Sequence, residues 1–344
     1  MRYRVRSERR SNTMGLDGTI YVLSDTGNNA GAEIWPALGF NCYHWQAPWK
    51  NKVLDLLYAD PQMFAGAKPS RSGIPVLFPF PNRIRDGRYS WKGKDYQLAL
   101  NDSASKNAIH GWVCRHPWRV VEQGADDASA WLVGEFRASL EAPESRSLWP
   151  ADYQLRLTYR LTERRLRLEA TVSNPDSTPL PFGLAYHPYF QVPFVAGSQE
   201  ADYWVESSAR EYWELRDNLP TGKRKPVDAS RDLTKGKHVT ELSLDDVLSD
   251  MEGAPPAQAD ALCWRGSVRL GPAGVGVEVL TSPAFRELVV FTPANRQAVC
   301  LEPYTCTSDA INLQQRGIDA GLLVLDPGAQ WHGTVELAIV QDEE

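Results

Sequence analysis

The 344-residue sequence lacks a long hydrophobic run. A membrane-spanning helix needs about 18 or more predominantly apolar residues, and no segment approaches that length. The basic start MRYRVRSERR is not followed by an apolar run of signal-peptide length. We therefore expect a soluble protein in which residues 1–18 form a solvated basic tail, with Met14 as a second candidate start.

Cysteine is scarce and follows no recognised spacing. The five cysteines are odd in number, lie far apart and form no CxxC pair. Such a pattern indicates neither a disulfide framework nor a zinc cluster, and reduced thiols in a cytoplasm fit better. We expect Cys300 and Cys306 to fill small, buried apolar positions.

An excess of positive charge is also absent. The chain has 37 Lys and Arg residues against 43 Asp and Glu residues, which gives a net charge of -6. This balance argues against nucleic acid or an anionic membrane surface as the main partner. A small neutral ligand fits better.

Convincing amphipathic helices of ten or more residues are missing, whereas strand patterns recur. Apolar and polar residues alternate over 155–161 and again over 166–172, which predicts a β-hairpin. The same alternation flanks a Gly-Pro-Ala-Gly turn in SVRLGPAGVGVEVL, and ELVVFTP is typical of a buried strand. The prediction is an all-β fold, a large two-sheet sandwich.

Residues 197–261 depart from this alternation. The segment is polar, contains TGKRKP and EGAPPAQAD, and shows little periodicity. We expect long loops over one face of the sandwich, which would make this region a candidate rim for a binding site. It does not resemble a second domain, so residues 19–344 are predicted to form a single one.

Several polar side chains are predicted to lie at strand ends. His187 in AYHPYF and Glu302 in CLEPYT each precede a proline, which keeps their backbone extended. Asn82 and Arg83 lie between an apolar run and a Gly-containing turn, and His110 precedes a glycine. Glu302 follows the apolar AVCL, and partial burial there raises a carboxyl pKa toward a range suited to proton transfer. With a histidine it could form an acid/base pair.

Each of these residues also has a purely structural explanation. Arg83 could belong to a surface ion pair, His110 to a turn, and Glu302 to a solvent-exposed strand end. Alternatively, His110, His187 and Glu302 could form a metal site of two histidines and one carboxylate.

Eight short motifs along the chain carry a family resemblance. They are EIWPALGFN, PVLFPFPNRI, DGRY, AIHGW, HPYF, LDDV, LEPYTCTSDAINL and VLDPGAQW, and they span nearly everything after residue 30. In this order they resemble the aldose 1-epimerase, or mutarotase, family of the galactose mutarotase-like superfamily. The resemblance implies a β-supersandwich with a pocket on one broad sheet face.

The resemblance also implies roles for individual positions. The family's catalytic glutamate corresponds to Glu302, and its general-acid histidine corresponds to His187. The implied substrate-binding residues are Asn82, Arg83, His110 and Asp245. Many relatives have a histidine after that aspartate and an aromatic residue two places later, whereas this chain has Asp246 and Leu248. Asp246 is therefore the alternative to Asp245.

The implied reaction interconverts the α and β anomers of a free hexose without a cofactor or a metal. A base removes the proton of the C1 hydroxyl while an acid protonates the ring oxygen. The ring opens, C1 rotates about the C1–C2 bond, and the ring closes as the other anomer. A carboxylate and an imidazole, with ordinary pKa values of about 4.3 and 6.5, suit these roles if the site stabilises the ionised base and the protonated acid.

Two further alternatives stay open. The pocket could bind sugar without converting it, or the substrate could be a hexose 6-phosphate. Arg85, Arg88 and Arg115 are candidate phosphate contacts. The negative net charge and the lack of a clear phosphate loop favour a neutral aldose. Trp112 and Tyr189 flank the predicted site residues and are candidates for stacking on a sugar.

Overall fold

The computed structural model describes residues 2–66, 68–102, 104–251, 261–271 and 274–341. These residues form mostly strands, which confirms the predicted all-β fold. The α-helices are α1 (Ala138–Glu141) and α2 (Ala310–Gln315). Short 3₁₀ helices occupy Pro36–Leu38, Met63–Ala65, Pro69–Arg71, Arg85–Gly87, Val113–Arg115, Pro143–Ser147, Glu200–Asp202 and Val239–Glu241. Across the described ranges, every helix is too short to cross a bilayer.

The strands are joined by connections of different lengths, among which those from β5 to β6 and from β26 to β27 are long. In chain order they are β1 (Tyr3–Arg9), β2 (Thr19–Asp25), β3 (Ala30–Trp35), β4 (Asn41–Trp49), β5 (Lys52–Asp55), β6 (Val76–Leu77), β7 (Arg83–Ile84), β8 (Arg88–Trp91), β9 (Lys94–Gln97), β10 (Ala108–Ile109), β11 (Arg119–Ala125), β12 (Ala130–Arg137), β13 (Gln154–Leu161), β14 (Arg165–Ser173), β15 (Leu180–Phe182), β16 (Ala185–Tyr186), β17 (Tyr189–Gln191), β18 (Tyr203–Ser207), β19 (Ala209–Arg216), β20 (Leu219–Pro226), β21 (Lys237–His238), β22 (Asp245–Met251), β23 (Cys263–Leu270), β24 (Gly276–Thr281), β25 (Glu287–Phe291), β26 (Ala298–Tyr304), β27 (Leu323–Leu325) and β28 (Gln330–Val340).

Three larger sheets and three strand pairs organise these elements. A nine-stranded sheet has the order β11-β12-β13-β14-β28-β24-β23-β18-β21. An eight-stranded sheet has the order β20-β19-β22-β25-β26-β16-β6, with β17 also paired to β26. Strands β1 to β5 form a five-stranded sheet in sequence order, and the separate pairs are β7 with β10, β8 with β9, and β15 with β27.

The predicted hairpin is confirmed as β13 and β14, at the middle of the nine-stranded sheet. Leu157 pairs with Ala170 and Tyr159 with Leu168, and all four side chains are buried. They belong to a core that also takes side chains from the other two large sheets. Because burial of each large apolar side chain contributes about 1.5–3 kcal/mol, this alternation fixes which face of the hairpin turns inward.

Strand β26 is buried on both faces, near the centre of the eight-stranded sheet. Val299 and Leu301 point into the main core. Since side chains alternate along a strand, Cys300, Glu302 and Tyr304 point to the opposite face. A second, smaller apolar cluster that includes Tyr304 lies on this side. The sequence thus presents a glutamate on a rigid, largely desolvated surface.

The predicted solvated tail is wrong, because residues 3–9 form β1. This strand pairs with β2 along its whole length, from Tyr3 opposite Asp25 to Arg9 opposite Thr19. Tyr3 is buried and Val5 packs against the core, while Arg4, Arg6 and Arg9 are exposed. The alternation was present in the sequence, but the basic residues of the exposed face concealed it.

The expectation of long loops over 197–261 is also wrong for much of the segment, which contains β18 to β22. The polar string TGKRKP lies in β20, the edge strand of the eight-stranded sheet, where residues 223–226 are exposed. Lysine and proline on an edge strand discourage pairing with another chain, so such a strand carries no apolar alternation. The string EGAPPAQAD lies outside the described residues.

Candidate active site

Glu302 lies on the face of β26 that is turned away from the main core. Only 2% of its surface is accessible. The hydroxyl of Tyr304 donates a hydrogen bond of 3.0 Å to Glu302 Oε2. The two side chains are neighbours because they are two positions apart on one strand. Glu302 Oε1 is left free to face a second group.

That group is His187, in the two-residue gap between β16 and β17. Its backbone N–H donates to the Pro75 carbonyl at 3.0 Å, which ties the gap to the strand beside it. The imidazole Nδ1 lies 3.4 Å from Glu302 Oε1. The ring stacks on Tyr189 with centroids 4.5 Å apart and planes inclined by 7°. Packing therefore fixes the ring against the carboxylate.

His110 brings a second imidazole to the same place. Its ring centroid is 6.0 Å from that of His187, and its backbone N–H donates to the Asn82 carbonyl at 2.9 Å. His110 and Gly111 have φ values of 66° and 62°. A Cβ on Gly111 would lie 2.1 Å from the Phe78 carbonyl oxygen, so only glycine fits there. This explains the glycine of the AIHGW motif.

Asn82 and Arg83 form a braced pair beside His110. The Arg83 Nε donates to Asp102 Oδ2 at 2.7 Å, and its Nη1 donates to Asn82 Oδ1 at 3.1 Å. Ser105 also donates to Asp102. The Arg83 side chain is only 14% exposed. A guanidinium held in this way presents its remaining N–H groups in a fixed direction.

The structure distinguishes Asp245 from Asp246. In the ladder between β22 and β25, Val247 is opposite Val289, which is in turn opposite Glu302. Two residues before Val247, Asp245 therefore projects on the same face as Glu302, and it is exposed. Asp246 projects to the other face and accepts a 2.8 Å hydrogen bond from Arg231 Nε. Asp245 is the aspartate that shares a face with the predicted base.

Burial dominates the electrostatics of the two central groups. Desolvation raises the pKa of Glu302 well above its ordinary value, and the charge of Asp245 adds to the rise. The Tyr304 hydrogen bond and the charge of Arg83 oppose it. Burial lowers the pKa of His187 to about 3. The surroundings therefore favour the uncharged form of both groups, whereas the implied roles require an ionised base and a protonated acid.

His110 is neutral for a related reason. Burial lowers its pKa well below the ordinary value, and the neighbouring His187, Arg115 and Arg83 add to the effect. Within the described part of the chain, Nδ1 of His110 and Nδ1 of His187 are buried without a hydrogen-bond partner. Leaving such a group unpaired costs about 1–3 kcal/mol, so both nitrogens are available to hydrogen-bond a molecule that enters between them.

The residues that lie close enough together to bind a metal ion differ from the set of His110, His187 and Glu302 expected from the sequence. The potential ligand atoms of His187, Cys300 and Glu302 lie within 4.8 Å of one another, and His110 is not part of this group. Cys300 fills a small buried position, as expected, but it faces the site. The two-residue period of β26 was the signal that could have placed Cys300 and Tyr304 beside Glu302.

The three candidate phosphate contacts each make a hydrogen bond or an ion pair with a protein group, and Arg115 lies near enough to His110 for its charge to lower the pKa of that histidine. Arg85 Nε lies 3.9 Å from Asp309, Arg88 Nε donates to Gln97 at 2.8 Å, and Arg115 Nη2 donates to the Ile109 carbonyl at 3.1 Å.

The two candidates for stacking on a sugar, Trp112 and Tyr189, make different contacts. Tyr189 stacks on His187 and helps to hold that ring in place. Trp112 packs edge-on against Phe80 and Trp149 beside the core. Asp102 was not recognised from the sequence, because it lies in a polar segment with no motif and meets Arg83 only through folding.

Comparison with known proteins agrees with this architecture. The profile of the aldose 1-epimerase family matches residues 25–338. The chain is 23% identical over 255 residues to the uncharacterised protein YihR of Escherichia coli K12, covering 74% of each chain. It is 28% identical over 173 residues to human galactose mutarotase, covering 47% of this chain and 46% of that protein.

The solved structures show the same fold. A galactose mutarotase-like protein from Clostridium acetobutylicum superimposes with a TM-score of 0.84 at 24% identity, covering 98% of each chain. The match of the family profile extends over nearly all of the sequence. The chain belongs to the aldose 1-epimerase family.

Proposed function

We propose that this protein is an aldose 1-epimerase that interconverts the anomers of a free hexose. The observation that carries the proposal is the contact between a buried Glu302 and a buried His187, 3.4 Å apart, with Nδ1 of the histidine unpartnered among the described residues. A general acid and a general base must both reach one sugar ring, and this pair can do so. The five cysteines are free and buried, which supports a cytoplasmic location.

Proton transfer in this pair can be balanced atom by atom. Before ring opening, Glu302 is a carboxylate and His187 is an imidazolium, so the pair carries one transferable proton. Glu302 takes the proton of the C1 hydroxyl as His187 gives its proton to the ring oxygen, which leaves an open-chain aldehyde beside two uncharged groups. Burial favours that uncharged form of the pair. The surroundings of the pair are therefore matched electrostatically to the intermediate rather than to the starting state.

The surrounding residues suit a neutral polyol. Arg83, braced by Asp102, donates hydrogen bonds, Asp245 accepts them, and Asn82 and His110 can do both. A phosphate placed near Asp245 and an ionised Glu302 would be repelled. We therefore propose that the substrate is a free hexose and not a hexose 6-phosphate.

The direct test is polarimetry. Freshly dissolved α-galactose or α-glucose should reach its equilibrium rotation faster with the protein than without it, and α-glucose 6-phosphate should be converted far more slowly. A marked preference for the phosphate would overturn the substrate proposal. Sugar binding without any acceleration would instead identify a carbohydrate-binding protein.

Replacement of Arg83 by alanine is expected to raise KM roughly 10- to 100-fold and to change kcat less, since a charge-assisted hydrogen bond of about 1.5–3 kcal/mol is lost in both ground and transition states. Initial rates of rotation change over a range of galactose concentrations give both constants. Arg119→Ala is the matched control, because Arg119 makes ion pairs with Glu135 and Glu141 at the surface. A fall in kcat with unchanged KM would contradict the proposed role.

The pH dependence should reveal the neighbours of Glu302. The active pair, with Glu302 ionised and His187 protonated, holds the same number of protons as the uncharged pair, so kcat/KM should fall with increasing pH as the raised pKa of Glu302 is passed and that proton is lost. Asp245→Asn removes a negative charge and should move this fall to lower pH. Tyr304→Phe removes a hydrogen bond that stabilises the carboxylate and should move it to higher pH.

The control for these shifts is Asp246→Asn, whose side chain lies on the other face of β22 and bonds Arg231. Its alkaline limb should stay in place. Movement of the limb in the same direction in Asp245→Asn and Tyr304→Phe would exclude Glu302 as the titrating group.

A further inference from the structure

Cys300 occupies a position on the site face that proton transfer does not use. It lies two residues before Glu302 on β26, opposite Phe291, and is fully buried. On the neighbouring strand β17, Tyr189 is paired with Cys300. Because the His187 ring stacks on Tyr189, the thiol lies near that ring. The Cys300 thiol, the His187 imidazole and the Glu302 carboxyl group therefore lie close together.

The spacing of these groups is close to that of a zinc site. Zinc takes nitrogen and oxygen ligands at about 2.0–2.2 Å, and tetrahedral angles then place those two atoms roughly 3.3–3.5 Å apart. His187 Nδ1 and Glu302 Oε1 are 3.4 Å apart. The cysteine sulfur completes a set of atoms within 4.8 Å of one another.

A second, independent observation points to a missing ligand. His187 is only 6% exposed, and its Nδ1 has no hydrogen-bond partner in the described ranges. The nearby charge of Asp245 attracts a cation, while the charge of Arg83 is offset by Asp102. Imidazole and thiolate together favour zinc over magnesium or calcium, which prefer oxygen ligands.

We propose that His187, Cys300 and Glu302 form an inhibitory Zn²⁺ site that overlaps the position of the sugar. Three protein atoms bind the ion and water takes the fourth position. Bonds form from zinc to the sulfur, to Nδ1 and to a carboxylate oxygen. The Cys300 thiol, and Glu302 where it is protonated, release their protons to solvent, and no atom changes oxidation state.

Binding can be measured without any reference to activity. Reduced, chelator-treated protein titrated calorimetrically with Zn²⁺ should bind one tight equivalent, and Mg²⁺ should not compete. Cys300→Ala should weaken that site by at least about tenfold, since even an outer partner of a metal ligand contributes 10- to 100-fold to affinity. Cys42→Ser is the matched control, because that buried thiol bonds the His44 carbonyl in the main core and a serine hydroxyl can do the same.

Cobalt gives a second reading that does not depend on a variant folding. Co²⁺ added to the unmodified protein should produce a thiolate-to-cobalt charge-transfer band in the near ultraviolet, which Zn²⁺ abolishes. Absence of the band, or a Zn²⁺ isotherm that is the same in folded Cys300→Ala as in the unmodified protein, would overturn the proposal.

The inhibitory part rests on the proposed function. If the protein is an aldose 1-epimerase, Zn²⁺ should compete with galactose and inhibit the enzyme. The inhibition constant for Zn²⁺ should rise at least about tenfold in Cys300→Ala. Non-competitive inhibition with an unchanged constant would contradict overlap with the sugar. If the protein has no anomerase activity, the proposed function fails, whereas the isotherm and the cobalt band still decide the metal site.

Discussion

Replacement of Glu302 by glutamine is expected to reduce kcat by about 10²–10⁴ while galactose still binds, because the amide keeps the size of the side chain but cannot accept the C1 hydroxyl proton. Polarimetry gives the rate, and calorimetric titration with galactose gives the affinity. The Tyr304 hydroxyl can still donate to the amide oxygen. The substitution therefore tests the base and leaves its surroundings in place.

Glu287 offers a matched control for this substitution. It is a second buried glutamate on the same face, opposite Tyr304 in the neighbouring strand, and burial raises its pKa to about 7. Because it does not contact His187, Glu287→Gln should leave kcat nearly unchanged. A folded Glu302→Gln enzyme with the parental rate would show that the mechanism is wrong.

The same electrostatics predicts a conflict between activity and stability at Glu302. A carboxyl whose pKa is raised in the folded protein disfavours folding once pH exceeds the unfolded-state value of about 4.3, and the penalty is complete above the folded-state pKa. A neutral glutamine does not experience it. The site thus holds its proposed base under strain that only function explains, as active sites commonly do.

The sequence predicted the buried strands well and the polar strands poorly. Residues 155–161 and 166–172 alternate cleanly because one face is packed and the other is wet. Strand β20 is an exposed edge, and in β1 the basic side chains outnumber the apolar ones. In both cases pairing to a neighbouring strand determines the structure. The polar composition of these two segments shows only that their side chains contact water.

For the site, the sequence indicated residue types and local backbone but not mutual orientation. The prolines after His187 and Glu302 and the glycine after His110 are visible without a structure. Which aspartate faces Glu302 depends on the register between β22, β25 and β26. The preference for the uncharged form also depends on burial by distant segments, so the sequence could indicate the two residues but not the charge state that their surroundings favour.

His187→Asn is expected to lower kcat to a similar extent, about 10²–10⁴, because asparagine can hydrogen-bond the ring oxygen but cannot deliver a proton to it. His116→Asn is the control, since His116 lies outside the site and its Nε2 contacts Glu144 at 3.1 Å near the surface. Stopped-time polarimetry on α-galactose measures all three enzymes. A parental rate in folded His187→Asn would remove His187 from the mechanism.

The double variant Glu302→Gln/His187→Asn tests whether the two residues act as one unit. In the proposed mechanism each proton transfer requires the other, so loss of either group already stops the coupled step. The double variant should therefore be no more than a few-fold slower than the slower single variant, as for other catalytic groups that act together. Multiplied effects would mean that the two groups act in separate steps, and the 3.4 Å contact between them would then be a consequence of packing alone.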